Sequence, residues 1–214
     1  MEYIMNMQPN YLNYDDAIKD TLYIETPDFY DVFNYIEKNT DTCMKSKSMA
    51  RIKEHYWANK NPARERERIF QSDAAVTYTH HLAVHIRRPN CDDTRPNGGE
   101  EYTNEYYIQS LLHIRETYRG YDANNRIQYH IFSQGDTGKF ANIKQHPVLG
   151  VDVMLHLNET TEDTFIGMTI ADILVTSASS YSYTAAFLCN GDIYYTEFWH
   201  KPCSWWNRLS KISA

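Results

Sequence analysis

The chain has 214 residues, 42% of them apolar and 23% charged, with a formal net charge of −7. Those values describe a soluble globular protein with side chains enough for one core, and its acidity excludes bulk attraction to nucleic acid or an anionic membrane. The four cysteines, Cys43, Cys91, Cys189 and Cys203, form no C-x-x-C pair, which argues against a stapled secreted scaffold or a zinc ribbon and for free thiols in a reducing compartment.

In chain order, Met1-Glu2-Tyr3-Ile4 carries no basic segment followed by an apolar core. No window approaches the roughly 18 to 20 apolar residues of a membrane span, so a cytoplasmic protein without a span is expected. Asp28 to Lys38 places Phe29, Val32, Phe33 and Ile36 at helical spacing. Met44 to Lys60 continues as a helix with Met49, Ile52, Tyr56 and Trp57, stopped by Pro62, and the charged run Ala63 to Arg68 reads as solvated surface.

From about residue 80 the pattern alternates. Leu82 to Ile86 is a short buried strand, Thr103 to Tyr118 an amphipathic helix, and Arg126 to Phe132 and Val151 to Leu157 are strands. Thr160-x-x-Asp163 opens a helix running through Ile170. Ile173 to Thr176 is a strand, Tyr181 to Cys189 a helix ended by Asn190-Gly191, and Asp192 to Tyr195 a last strand. The organisation expected is a mainly helical segment over 1–78 and an α/β domain over 79–214 whose mainly parallel sheet is covered by helices. In such sheets ligands bind beyond the carboxyl ends of the strands, and the conspicuous motifs here fall at such ends.

Three segments carry candidate chemistry. In Ala83-Val84-His85-Ile86-Arg87-Arg88-Pro89-Asn90 two arginines leave a buried strand. A guanidinium fork matches phosphate oxygens and would stabilise a diphosphate leaving with growing charge, although two structural arginines paired with Asp92 and Asp93 would read the same. In Asp172-Ile173-Leu174-Val175-Thr176-Ser177-Ala178-Ser179-Ser180-Tyr181 a strand ends in hydroxyl residues and a helix follows at once. Ser179 or Ser180 can cap that helix while its positive end attracts a phosphate, and capping and phosphate binding are compatible. His130-Ile131-Phe132-Ser133-Gln134-Gly135-Asp136 is a further strand end, where Ser133 or Asp136 could meet a base, a ribose or a sugar, or simply make a turn. The loop after the arginines holds Asp92, Asp93, Glu100 and Glu101, candidates for a general base, and a Gly-rich stretch that also suits a lid. Phe198-Trp199-His200 and Trp205-Trp206 can stack on sugar or pack on the core.

Together, in this order, His85-x-Arg87-Arg88, Phe132-Ser133-Gln134-Gly135-Asp136 and Ser177-Ala178-Ser179-Ser180-Tyr181-Ser182-Tyr183 resemble the three motifs of the fucosyltransferase superfamily. Its members include the α-1,2-, α-1,6- and protein O-fucosyltransferases. The resemblance covers about residues 80 to 200 and implies the donor-binding lobe of a GT-B fold, a Rossmann-like sheet with helices on both faces. It implies an inverting, metal-independent glycosyltransferase without a cofactor, using GDP-fucose or a related nucleotide sugar and a glycan acceptor. Arg87 would then be catalytic, and His85, Arg87, Arg88, Ser133, Asp136, Asp172, Ser177, Ser179, Ser180 and Tyr181 would bind the donor. Asp92, Asp93 or Glu101 would supply the base, and a second copy or a partner chain could complete the acceptor side. The alternative is a non-catalytic nucleotide- or glycan-binding module derived from such a lobe.

Overall fold

Strands buried on both faces lose the polar alternation of a half-exposed sheet, and the sequence from Ile127 to Ser133 is buried at every position. A computed structural model describes residues 36–71, 78–88, 102–118, 126–197 and 199–209. The chain divides into two compact units, one comprising residues up to Lys60 together with Lys201–Ser204, the other Asn61–His200 together with Trp205 onward.

The smaller unit contains α1 (Thr40–Met44) and α2 (Lys47–Trp57). The single helix expected over Met44 to Lys60 is interrupted because Ser46 caps α2, its Oγ accepting the Met49 N–H at 3.2 Å. The segment Lys201–Ser204 is held by main-chain N–H groups: Lys201 donates to Glu37 Oε2 at 2.9 Å and Ser204 to Asp41 Oδ1 at 2.8 Å. Cys43, Cys189 and Cys203 are free thiols.

The larger unit opens with α3 (Pro62–Ile69), where the sequence suggested only a solvated charge run. Asn61 Oδ1 accepts the N–H groups of Ala63 and Arg64 at 3.1 and 3.2 Å, and Pro62 stands at the first helical position, where its missing N–H costs nothing. The strands are β1 (His80–His85), β2 (Ile127–Ser133), β3 (Val153–Leu157), β4 (Ile173–Val175), β5 (Asp192–Thr196) and β6 (Asn207–Leu209). They form one sheet in the order β3-β2-β1-β4-β5-β6, with each neighbouring pair parallel. Strand β6 has no counterpart in the sequence reading, since Asn207-Arg208-Leu209 lacks the apolar run that marks β4.

Helix α4 (Asn104–Thr117) sets Tyr107, Ile108, Leu111 and Ile114 against Leu82, Val84, Ile127, Tyr129 and Ile131, making the core on one face of the sheet. The short α5 (Ala141–Lys144) adds Ile143 to that core. On the other face lie α6 (Thr161–Ile170) and α7 (Ser180–Leu188), which pack against each other, with α3 against α6. Gly167 of α6 comes so close to the sheet that a Cβ there would stand 2.4 Å from Phe132 Cζ. Among the described residues, no helix is long and apolar enough to cross a membrane.

Chain order runs outward from β1 through β2 to β3, then returns to the other side of β1 for β4, β5 and β6. The crossovers therefore diverge between β1 and β4, and a crevice opens beyond the carboxyl ends of those two strands.

Candidate functional site

A cavity of about 260 Å³ occupies that crevice. It is lined by His85, Ile86, Arg87 and Arg88 after β1, Ser133 and Gln134 after β2, Glu159, Thr161 and Thr164 at the start of α6, and Ser179 and Tyr181 at the start of α7. Parallel strands release their carboxyl ends on one edge, so four loops distant in sequence share this wall.

The two arginines divide their work. Arg88 is 8% exposed and its guanidinium donates to the carbonyls of Arg87 and Tyr102, at 3.0 and 3.2 Å, and to Asn104 Oδ1. It also lies 5.7 Å from the centre of the Phe140 ring. Arg88 thus fastens the loop after β1 to the amino end of α4. Arg87, half-buried in the cavity wall, brings the positive charge.

His85 Nδ1 lies 2.7 Å from Ser177 Oγ, which ties the loop after β1 to the loop after β4. Desolvation in this setting pushes the His85 pKa down to about 4, so the ring is neutral at physiological pH and acts as a hydrogen-bonding strut. Ser133 Oγ donates to the Ile86 carbonyl at 2.6 Å, adding a tie from β2. The loop after β2 is locked to the loop after β3 by a reciprocal pair: Gly135 N–H to Asn158 Oδ1 and Asn158 Nδ2 to Gly135 O, both 2.9 Å. Gly135 at φ 111° and Asn158 at φ 58° hold left-handed backbone that these residue types tolerate.

The start of α7 is organised by three serines. Ser179 is the cap, its Oγ accepting the Tyr181 N–H at 3.3 Å. Ser182 reaches back beneath the turn, accepting the Ser177 N–H at 3.1 Å and donating to the Ser179 carbonyl at 3.2 Å. The positive end of a nine-residue helix is thereby presented at the cavity beside Arg87. Tyr181 closes this side, its hydroxyl donating to the Thr161 carbonyl at the start of α6.

Behind the cavity a row of imidazoles crosses the sheet. His81 Nδ1 lies 3.0 Å from His130 Nε2, and His130 Nδ1 lies 2.9 Å from His156 Nε2. Phe70 stacks on His81 and His130, and Phe132 on His156. Burial pushes the three pKa values down, to about 4 for His156 and well below the ordinary range for His130. His156 Nδ1 ends the row 4.0 Å from Glu159 Oε1, in the cavity wall.

Of the residues the sequence points to, His85, Arg87, Arg88, Ser133, Ser179 and Tyr181 line this one cavity. Ser177 joins it through His85. Ser180 is turned away, its Oγ 3.0 Å from His200 Nε2. Asp136 is exposed at the cap of a short 3₁₀ turn, Thr137–Phe140, and is absent from the lining. Asp172 needs correction. It precedes β4 and so stands at the amino edge of the sheet, where it accepts the His81 N–H at 2.9 Å and forms a two-point ion pair with Arg66 at 2.6 and 3.2 Å. The base candidates Asp92, Asp93 and Glu101 lie outside the described residues. Gln134, Glu159, Thr161 and Thr164 escaped the sequence reading. The signal was available, since the Thr160 cap marks another helix start directly after a strand, the same arrangement as at Ser179.

The strand order and the crevice define a doubly wound, Rossmann-like α/β protein. No protein-family model matches the chain, and no curated protein matches its sequence. Among solved structures it is similar to Arabidopsis thaliana FUT1, an arginine-to-lysine mutant in complex with GDP, at 12% identity and a TM-score of 0.41. The match covers 79% of this chain and 41% of that one, so the chain spans about two fifths of that protein's length.

Proposed function

We propose that the cavity binds the diphosphate of a nucleotide sugar and that the chain is a glycosyltransferase, with GDP-fucose the favoured donor by the resemblance of its three motifs. One observation carries the reading: Arg87 and the Ser179-capped start of α7 converge on a single cavity at the point where the strand order reverses. A pyrophosphate there meets the Arg87 guanidinium and a helix end, both positive. When the bond between the anomeric carbon and the diphosphate breaks, charge grows on the leaving oxygen. A preorganised cation then stabilises the transition state more than the bound donor. Transfer to a glycan hydroxyl also needs a base for the hydroxyl proton, the role given to Asp92, Asp93 or Glu101.

The test is a thermal melt with GDP, UDP and their sugars, on wild type and Arg87→Ala. A nucleotide at about 100-fold its Kd adds roughly 2.7 kcal/mol to wild-type stability. Arg87→Ala melts normally without ligand, loses the nucleotide shift, and lowers transfer by about 10²- to 10³-fold. A wild-type chain whose melting no nucleotide or nucleotide sugar moves at millimolar concentration overturns the proposal. A shift by GDP with neither donor hydrolysis nor transfer leaves the binding-module reading.

A further inference from the structure

Trp199 is 73% exposed, an unusual setting for so large an apolar ring. It is nevertheless held in place. Its indole stacks on the His200 ring at 4.6 Å between centres and 23° between planes, and His200 stacks in turn on Tyr183 of α7 at 4.6 Å and 15°. Tyr183 is 5% exposed and packs edge-on against the buried Trp206. The base of the stack is therefore core, and the Trp199 indole is a flat ring largely in solvent. Two hydrogen bonds fix the middle layer: His200 Nε2 lies 3.0 Å from Ser180 Oγ, and the His200 carbonyl accepts from the Tyr195 hydroxyl.

The place of this stack matters as much as its shape. Trp199 follows β5, which ends at Thr196, so it emerges at the carboxyl edge of the parallel sheet, the edge that carries the cavity. Ser180, which holds His200, stands between Ser179 and Tyr181 in the first turn of α7, and both neighbours line the cavity. The indole is thus two side-chain contacts from Ser180, whose neighbours along the chain line the cavity.

We propose that Trp199 is the platform on which a neutral pyranose ring of the acceptor glycan stacks. A pyranose offers a patch of C–H bonds on one face, and an indole offers a flat, electron-rich surface of similar size. Preorganisation of the ring in a three-layer stack removes the ordering cost that a mobile side chain would bring to a weak contact. The exposed indole face offers apolar surface and no charge, which suits the C–H face of a neutral ring. This inference rests on the glycosyltransferase reading for the word acceptor, but the platform is tested without turnover.

Saturation-transfer NMR and calorimetry would follow lactose and cellobiose, as neutral probes, binding to wild type, Trp199→Ala and Trp199→Phe. The melting shift by GDP is measured on the same samples. Wild type binds at least one saccharide at millimolar concentration, Trp199→Ala weakens it about tenfold or more, and Trp199→Phe restores part of the loss, all with the GDP shift unchanged. Saccharide binding equal in wild type and Trp199→Ala overturns the platform, as does wild type binding neither sugar. Loss of the GDP shift in wild type, with saccharide binding retained, overturns the nucleotide reading instead and leaves the platform standing.

Discussion

Acidification is the perturbation for which the structure makes its sharpest demand. His85 and His156 are each pushed by desolvation from an ordinary 6.5 to about 4, whereas the unfolded chain leaves both rings in water. Above the unfolded value both states hold the rings neutral and the folded state has its full stability. As pH falls below about 6.5 the unfolded chain gains protons that the folded chain refuses, so stability declines until the folded rings titrate near 4. From about pH 7 to about pH 5 the linkage relation gives about 2 kcal/mol for each of these two histidines, about 4 kcal/mol together. His130 acts in the same direction. The charged groups that face the row are Glu159 beside His156, and Asp172, Arg66 and His80 beside His81. Phe70 and Phe132 supply apolar faces. Most carboxylates titrate below this window, so the slope there reports histidine. The assay is urea unfolding at half-unit pH steps, for wild type and His156→Gln. A total loss of several kcal/mol is expected by about pH 5, against a typical whole-domain stability of roughly 5 to 15 kcal/mol. The variant is expected to show a slope shallower by nearly one proton. Equal stability at the two ends of the window would refute the argument that these rings are buried neutral.

Two further outcomes separate site from scaffold. Asp172→Asn weakens the pair with Arg66 at the amino edge of the sheet, so it lowers stability by about 1 kcal/mol and leaves the GDP melting shift as in wild type. A lost nucleotide shift would return Asp172 to the site. Gly167→Ala drives a methyl into the Phe132 ring, which is fully buried and stacked on His156, and is expected to cost about 1 to 3 kcal/mol in urea unfolding.

How much of this was legible beforehand varies element by element. The helix around Leu111 and Ile114 and the helix after Thr160 declared themselves through cap and period, and their observed bounds fall within a residue or two of those read from the sequence. The hydroxyl run after β4 was legible as a helix cap because an N-cap is local chemistry, a side chain meeting an N–H two or three residues on. Helix α3 was missed because Ile69 is the one buried residue it offers to a period, and Arg66 and Arg68 also reach carboxylates at Asp172 and Asp163, about a hundred residues along the chain.

What local sequence determines here is the set of strands, helices and caps, since each depends on neighbours within one turn or one strand. Which of the polar strand ends share a wall was decided only by the fold. The order β3-β2-β1-β4-β5-β6 puts β1 beside β4, so Arg87 and Ser179 meet across a crevice although some ninety residues separate them. Asp172 is adjacent in sequence to β4, whose other end leads to Ser177, yet it sits on the far edge because a strand has two ends. The row of His81, His130 and His156 likewise exists only as a diagonal across three strands, fixed by register, where no spacing along the chain could announce it.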